Sequence, residues 1–529
     1  MNPQVPGTDD PRYRWEVLFI VMLGTLMAVL DTMIVNIALP NIEAAFGSPL
    51  DSIEWVVTAY MLSFACFMPL TSWAAGRFGN KNMYLFSLSV FTLGSALCGM
   101  AWNLPSLVVA RAIQALGGAA IIPIGMTLVS GVFPPRERGK ALGIWGVGVV
   151  MGPAFGPTLG GYLTETLGWR SIFMVNLPLG LLTIAACLTL LKQDHHEAST
   201  ERTLDWGGFL FLAMFLAGFL LGVSKGESDG WTSTIILSYF TMSGLGLIGF
   251  LLVESLVPHP IVDLKLLKIP VFSATLMVTA VRGIGMFGGA FLLPLVMRQQ
   301  MGFTEIGAGL VLLPGALLIA VTMPIAGRLA DRMGPRYLVM TGLVLMAWFC
   351  WSYRDLDANT SAWGVIDPTF LRGVGIALLM APVMSTAINA VPRASVGMAS
   401  MMLNLLQQMS GSTSVATLAT VLIHRINHHM ASLGASLNLT TGTAHQVLAG
   451  LVFRFHDLGR GPADSVLGAH IAMMERVVQA AAVRAYDDTF VVAAAASLAA
   501  LVVALLLPAH HPETHASEMG GDRPAMATE

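Results

Sequence analysis

Ionisable side chains within long apolar segments are the residues of this chain that point to chemistry. Asp31 lies in an apolar run that ends near Pro40, and Arg111 lies in a second run that begins near residue 105. At 1.5 Å per residue, both groups would sit about 9 to 13 Å below the same membrane surface. Burial favours the protonated form of a carboxylic acid, whereas a nearby guanidinium favours the ionised form. We predict that Asp31 and Arg111 couple transport to proton binding; the alternative is a static ion pair that only fixes helix packing.

Other polar side chains at membrane depth are candidates for a substrate cavity. Arg282 lies about twelve residues into its apolar segment, near the bilayer midplane. No acidic residue is close to it in sequence, so its partner could be Asp31, a backbone carbonyl or an anionic substrate group. For the neutral residues, hydrogen bonding between packed helices is the alternative role. The predicted cavity residues are Asn36, Gln114, Arg282, Asn404, Gln407 and Gln408.

A stretch rich in glycine and proline interrupts the apolar pattern between Gly143 and Tyr162. Glycines recur there at every fourth position, so that a helix carries them as one stripe. Small residues at this spacing let two helices approach closely, and each proline removes a backbone donor and can bend the helix. We expect the stretch to combine tight packing with a bend and a seal in a moving transporter. Its residues are Gly148, Gly152, Pro153, Gly156, Pro157, Gly160 and Gly161.

The amino-acid composition indicates which class of protein carries these residues. The chain has 529 residues, of which 55% are hydrophobic and 11% are charged, whereas a soluble domain carries about 25% charged residues. Its net charge of −3 gives no indication of nucleic-acid binding. Four irregularly spaced cysteines predict neither a disulfide framework nor a metal site. Phosphate-binding GxxxxGK[ST] and nucleophile GxSxG motifs are not found in a usable context, so we expect no enzyme and no cofactor.

Fourteen apolar segments are long enough to cross a bilayer as helices. Basic residues follow every second segment, whereas the alternate loops are acidic or short, which predicts that both termini lie in the cytoplasm. The sequence therefore predicts an all-α polytopic membrane protein. The predicted segments are 15–39, 53–75, 82–102, 105–132, 139–164, 171–191, 206–224, 233–255, 270–297, 305–327, 336–353, 366–390, 396–425 and 486–507.

The chain repeats itself at a spacing of about 255 residues. The loop motif at 72–81 is similar to that at 327–336, and Arg111 corresponds to Arg372. Parallel repeats of this kind occur in secondary transporters, with the substrate site between the halves. The predicted domains are an N-terminal six-helix bundle over 1–192, an inserted helix pair with linkers over 193–258, a C-terminal six-helix bundle over 259–507 and a cytoplasmic tail over 508–529.

The two repeated loop motifs predict a cytoplasmic latch between the halves. A carboxylate flanked by arginines can make charge-assisted bonds to a neighbouring helix end. Positive-inside topology alone explains the arginines but not Asp331. The predicted latch residues are Arg77 and Gly79 in the first motif and Asp331, Arg332, Gly334 and Arg336 in the second.

One outward loop, predicted over 426–485, is longer than the others and polar, with an alanine-rich, helix-favouring stretch near 464–485. Two roles stay open for it. It could lie on the membrane surface, or it could form a docking site for a periplasmic partner.

Together these residues resemble the major facilitator superfamily, and within it the fourteen-helix drug:proton antiporters of the EmrB/QacA type. The stretch from Leu30 to Pro40 is similar to the first-helix motif, whose aspartate is implicated in proton coupling. Arg111 to Gly117 is similar to the fourth-helix motif, whose arginine is tied to proton transfer. Residues 148–161 resemble the fifth-helix antiporter motif, which is found in exporters.

The resemblance implies a major facilitator fold in a bacterial inner membrane and the export of lipophilic compounds in exchange for protons. Pro260 to Asp263 and the long outer loop look EmrB-like, which implies a periplasmic adaptor and an outer-membrane channel as partners. A dedicated exporter of one metabolite, siderophore or lipid is the alternative within the same fold. A non-transporting membrane sensor or scaffold is the alternative from another class.

Overall fold

The computed structural model describes residues 10–193, 204–258, 260–354, 356, 360–436, 442–459 and 461–509. Over these residues the chain forms α-helices joined by short connections and three brief 3₁₀ helices. The α-helices are α1 Pro11–Phe46, α2 Leu50–Ile53, α3 Trp55–Phe78, α4 Asn80–Gly99, α5 Leu104–Val132, α6 Arg138–Leu167, α7 Ser171–Met174, α8 Asn176–Leu190, α9 Trp206–Asp229, α10 Thr234–Leu256, α11 Pro270–Val281, α12 Gly283–Gln299, α13 Glu305–Met333, α14 Pro335–Ser352, α15 Ala362–Ala390, α16 Val396–Ser436, α17 Thr443–Asp457 and α18 Pro462–Ala504.

The predicted helical membrane fold is confirmed. Every predicted segment is helical, and eleven helical stretches of the described chain are long and apolar enough to cross a membrane. Three predicted segments each contain one residue between two assigned helices: Glu54 between α2 and α3, Val175 between α7 and α8, and Arg282 between α11 and α12. The backbone of each of these residues keeps helical φ and ψ angles. The helices α1–α8, α9–α10 and α11–α18 fall within the three predicted domain ranges, and the division into domains stays a prediction.

Some predicted boundaries differ from the structure. The first helix does not end at Pro40 but continues to Phe46, because a proline near the membrane surface leaves carbonyls that water can satisfy. Most of the predicted outer loop 426–485 is helical, since α16 reaches Ser436 and α18 already begins at Pro462. The alanine-rich stretch near 464–485 favours the early start of α18. Within the predicted tail, residues 510–529 lie outside the described residues.

The repeated loop motifs form the same junction in both halves. Gly79 joins α3 to α4 with a φ of 86°, and Gly334 joins α13 to α14 with a φ of 82°. Only glycine adopts such a conformation without strain. Lys81 Nζ donates to the carbonyl oxygen of Leu191, and Arg336 Nε donates to that of Leu507 at 2.6 Å. Each motif thus ties its helix to the end of the last helix of its own half.

The inserted helices α9 and α10 pack against each other, and α9 also packs against α3 and α16. Lys225 Nζ, near the C-terminal end of α9, donates to Glu54 Oε2 beside α3 at 2.7 Å. Trp231 Nε1, in the connection between α9 and α10, donates to Thr420 Oγ1 of α16 at 3.2 Å. The inserted pair therefore contacts both six-helix regions.

Candidate proton and substrate sites

The structure brings Asp31 of α1 and Arg111 of α5 together inside the N-terminal half. Arg111 Nη1 donates to Asp31 Oδ2 at 2.6 Å, and the two side chains are 1% and 0% exposed. The start of α5 is fixed by a capping box, in which the Asn103 side chain accepts a hydrogen bond from Ser106 N at 2.8 Å. Arg111 then lies two turns inside the membrane helix, at the depth of Asp31. Their role in proton coupling stays a prediction.

Two amides complete the hydrogen bonding of this carboxylate. Gln114 Nε2 and Asn176 Nδ2 each donate to Asp31 Oδ1 at 2.8 Å, and Arg111 Nη1 also donates to Gln114 Oε1 at 2.7 Å. Both oxygens of Asp31 therefore have charge-assisted partners from different helices. We call Asp31, Arg111, Gln114 and Asn176 the carboxylate network. It is arranged to hold an ionised carboxylate away from water.

Asn176 was not among the predicted site residues. It begins α8, and its Nδ2 also lies 3.0 Å from Ser95 Oγ of α4, so the network links four helices. A second unpredicted neighbour is Tyr60, whose ring lies 4.1 Å from the Arg111 guanidinium carbon. Asn176 could have been selected from the sequence because it is a lone amide in an apolar segment, where a polar side chain needs a hydrogen-bond partner.

The remaining predicted cavity residues separate into two groups. Arg282 does not reach Asp31; its Nη2 donates to Gln407 Oε1 of α16 at 3.0 Å. Asn404 Nδ2 bonds to Ser400 O of its own helix at 2.8 Å and lies 3.9 Å from Met126 Sδ of α5. Asn36 is exposed and Gln408 is half-buried. The predicted single cavity set therefore resolves into the carboxylate network, the pair of Arg282 with Gln407, and residues that join neither.

The glycine stripe of α6 packs against α1, within the N-terminal half. Side-chain carbons added at its glycines would meet Met22, Val29, Met33 and Ile34 of α1. The helix runs from Arg138 to Leu167 without interruption, and Pro153, Pro157 and Gly161 lie inside it. The packing role is visible, and the predicted bend and seal stay predictions. The α1-facing positions are Gly148, Gly152, Gly156 and Gly160.

Another face of α6 meets α13 of the C-terminal half. A side-chain carbon at Gly327 would collide with the carbonyl oxygen of Gly139, and one at Gly143 would lie 2.5 Å from the carbonyl oxygen of Met323. The two backbones therefore touch directly, as small residues allow. Helix α6 thus contacts both α1, which carries Asp31, and α13 of the C-terminal half.

Asp331 bridges the two halves beside this contact. Its Oδ1 accepts from Gly139 N at 3.0 Å and its Oδ2 from Lys140 N at 3.1 Å, so that it binds the N-terminal end of α6. A carboxylate at a helix N-terminus satisfies free N–H groups and interacts favourably with the helix dipole. Nearby, Arg138 Nη1 donates to Asn389 Oδ1 of α15 at 2.9 Å.

The other predicted latch residues do not share the contact of Asp331. Arg77 is exposed and lies 5.9 Å from the ring of Trp73 in its own half, and Arg332 is exposed. Arg336 binds Leu507 O, also in its own half.

Sequence comparisons agree with this architecture. The family model described as Major Facilitator Superfamily matches residues 21–415. Multidrug export protein EmrB of Escherichia coli (strain K12) is 30% identical over 423 residues, which cover 79% of this chain and 81% of EmrB. The Multidrug resistance protein B homolog of Mycobacterium tuberculosis (strain H37Rv) is 31% identical over 413 residues, which cover 77% of this chain and 76% of that protein.

Solved structures show the same fold at low sequence identity. The proton:xylose symporter XylE aligns with a TM-score of 0.57 and 14% identity, covering 92% of this chain and 95% of XylE. The human organic anion transporter MFSD10 aligns with a TM-score of 0.58 and 14% identity, covering 93% of this chain and 99% of MFSD10. These likenesses establish the fold and nothing about the substrate. Because the family model spans well over half of its length, the chain belongs to the Major Facilitator Superfamily of multi-span secondary transporters, which are not enzymes.

Proposed function

We propose that this protein exports lipophilic compounds across a bacterial inner membrane in exchange for protons, by alternating access. The relatives named as multidrug export and resistance proteins align with more than three quarters of the chain. The observation that carries the proposal is the carboxylate network. Asp31 is 0% exposed within a helix apolar enough to cross a membrane. An ionisable group at such a position marks an ion or proton pathway.

The network supports a simple coupling scheme. While Asp31 is ionised, it holds Arg111, Gln114 and Asn176 through its two oxygens. A proton on Asp31 would remove its charge and release Arg111, so the two protonation states would favour different helix arrangements. A ligand or proton shifts such an equilibrium only through its differential affinity for the two states.

The shared helix α6 supplies a route from Asp31 to the opposite half. Its glycine stripe packs on α1, which carries Asp31, and its other face touches α13. Movement of α1 relative to α6 would therefore change the contact between Gly139 and Gly327 and the bond from Asp331 to the start of α6. We infer that this bridge, on the side of the basic loops, is the cytoplasmic latch. In this arrangement both termini face the cytoplasm and the described structure is closed on that side.

The substitution Asp31→Asn tests the proposal, because asparagine keeps the size of the side chain but cannot exchange a proton. The purified protein is reconstituted in liposomes, and an imposed pH gradient drives the flux of a lipophilic cation, an anion and a neutral compound. We expect gradient-driven flux of Asp31→Asn to fall to the level of protein-free liposomes, while thermal unfolding stays cooperative. Glu165→Gln is the matched control, since Glu165 is an exposed acid at the outer end of α6. Wild-type flux in Asp31→Asn would refute proton coupling through this residue.

We further infer that the outer ends of α16, α17 and α18 dock a periplasmic adaptor. The helices α16 and α18 contain 41 and 43 residues, so each is roughly 60 Å long, about twice the thickness of the hydrocarbon core. Their outer parts and α17 carry exposed apolar side chains, among them Phe453 and Met474 at 66% and 62% exposure. Exposed apolar surface outside the membrane favours a protein contact.

Polar substitution of this surface separates docking from transport. We expect the double variant Phe453→Ser and Met474→Ser to lower export from intact cells several-fold and to leave flux in proteoliposomes unchanged. Loss in both assays would show damage to the transporter itself, and loss in neither would favour a segment that lies on the membrane surface.

A further inference from the structure

Arg282 lies inside a membrane helix, at the junction of α11 and α12. Its backbone is helical, with a φ of −63° and a ψ of −15°. Its N–H donates to Val278 O at 3.0 Å, and its carbonyl oxygen accepts from Met286 N at 3.1 Å. Helix α11 ends at Val281, α12 begins at Gly283, and Arg282 joins them, about 18 Å along the helix from Pro270. Its side chain is only 2% exposed. In secondary transporters, substrates and coupling ions bind near the bilayer midplane. The position is therefore suited to recognition as well as to packing.

The hydrogen bonds of Arg282 leave its charge uncompensated. Nη2 donates to Gln407 Oε1 at 3.0 Å, Nη1 lies 3.7 Å from Met286 Sδ, which is a weak acceptor, and Nε is buried without an acceptor. No carboxylate of the described residues lies within 4.0 Å of the guanidinium. Asp31, the acid considered as its partner, is engaged by Arg111. A buried charge without a counter-ion is strongly unfavourable. An anion that binds beside Arg282 would supply the counter-ion that the protein lacks there.

Gln407 places this cation beside the boundary between the halves. Gln407 lies one turn beyond Asn404 on α16, and Asn404 Nδ2 lies 3.9 Å from Met126 Sδ of α5. Gln407 is half-buried, and its Oε1 accepts from Arg282. Its Nε2 donates to no acceptor among the described residues and can therefore donate to a ligand. Met126 is fifteen residues along α5 from Arg111, or about 22 Å. The cationic pair is therefore separate from the carboxylate network.

We propose that Arg282 and Gln407 form a binding site for the carboxylate group of amphipathic organic acids, which rests on the proposed export function and names a substrate class for it. The guanidinium supplies charge-assisted donors, and Gln407 Nε2 supplies a neutral donor that orients the carboxylate. Half-buried Met286, whose Sδ lies 3.7 Å from Arg282 Nη1, offers adaptable apolar surface for the rest of the ligand. Export of an anion in exchange for a proton moves two positive charges inward, whereas a neutral ligand moves one. An inside-negative potential should therefore accelerate export of the acid more than that of its neutral analogue.

A matched pair of probes tests the site: 1-naphthaleneacetate and its neutral amide, 1-naphthaleneacetamide. Their binding to the purified protein is measured by titration calorimetry at neutral pH. We expect the wild type to bind the acid on the order of tenfold more tightly than the amide, since one charge-assisted bond of about 1.4 kcal/mol gives that ratio. In Arg282→Gln the ratio should fall to near one with the affinity for the amide kept within twofold, and Arg282→Lys should retain part of the preference. Arg328→Gln, which removes an exposed arginine of α13, is the control for overall charge.

The possible results test the anion-binding site and the export function independently of each other. A preference for the acid that persists in Arg282→Gln would overturn it, as would equal loss of both probes with a lowered unfolding temperature, which would make Arg282 structural. A wild type without any preference would also overturn it. If the wild type binds the acid selectively but moves no compound under a pH gradient, the export function fails and the anion site stands.

Discussion

The two halves share a framework but differ in their buried charges. In the N-terminal half, Arg111 is neutralised by Asp31 at 2.6 Å. At the corresponding place in the C-terminal half, Arg372 lies 5.9 Å from the ring of Phe349, and its Nε is buried without an acceptor among the described residues. The position that corresponds to Asp31, about 254 residues further on, is Gly285, which faces Ser497.

The two repeats thus share backbone junctions but differ in their buried charged residues. The repeated glycine junctions and the bonds to Leu191 O and Leu507 O are the same in both halves. Among the described residues, only the N-terminal half has an acid beside its arginine, which is the arrangement that the proposed proton exchange needs. The C-terminal half keeps positive charge, at Arg282 and Arg372, without an acid within 4.0 Å in the described chain, which suits it to an anion.

Neutralising the equivalent arginines should have opposite results in the two halves. Arg111→Gln leaves Asp31 buried without its counter-ion, and breaking a buried pair destabilises a protein by about 3–5 kcal/mol. Arg372→Gln removes a charge that has no carboxylate within 4.0 Å among the described residues, so we expect unchanged or higher stability. Thermal unfolding in one detergent compares the two variants directly.

The double variant Asp31→Asn with Arg111→Gln serves as the control for this comparison. It should recover most of the stability lost in Arg111→Gln, because no unpaired charge remains, but it should not recover gradient-driven flux. Equal destabilisation by Arg111→Gln and Arg372→Gln would show that the two halves do not differ as described.

Some of this comparison could be predicted from the sequence, because the membrane restricts what apolar segments can do. Runs of about 20 apolar residues must be helices, and a charge within one needs a partner. Those rules predicted the helices and brought Asp31 and Arg111 to one depth. They could not predict Asn176, because its contact with Asp31 depends on how α8 is rotated against α1. They also left open which neighbour meets each face of α6, since a glycine stripe identifies close packing but not the helix it packs against.

The latch is also unequal between the halves, and a single methyl group can test it. Gly327 touches the backbone of Gly139, whereas the corresponding N-terminal position is Ser72, which already carries a side chain. Gly327→Ala would force α13 away from α6, at a cost of about 1–3 kcal/mol for overpacking. We expect the two halves to separate at this end of α6 and α13, as measured by spin-label distances between them. Gly131→Ala is the control, because nothing lies within 4 Å of a side-chain carbon added there. Unchanged distances in Gly327→Ala would mean that this contact does not hold the two halves together.

Supplying the C-terminal half with its own acid should remove the difference between the halves. Met286 Sδ lies 3.7 Å from Arg282 Nη1, so Met286→Glu would place a carboxylate within reach of the guanidinium. The new pair would imitate Asp31 with Arg111, and an anionic ligand would then compete with a carboxylate of the protein itself. We expect the roughly tenfold preference for 1-naphthaleneacetate over its amide to fall to near one. Met286→Gln, which has the same shape without the charge, should keep the preference. If both variants keep the preference, the anion is held elsewhere. If only Met286→Glu loses it, the unbalanced charge of Arg282 is what distinguishes the C-terminal half from the N-terminal half.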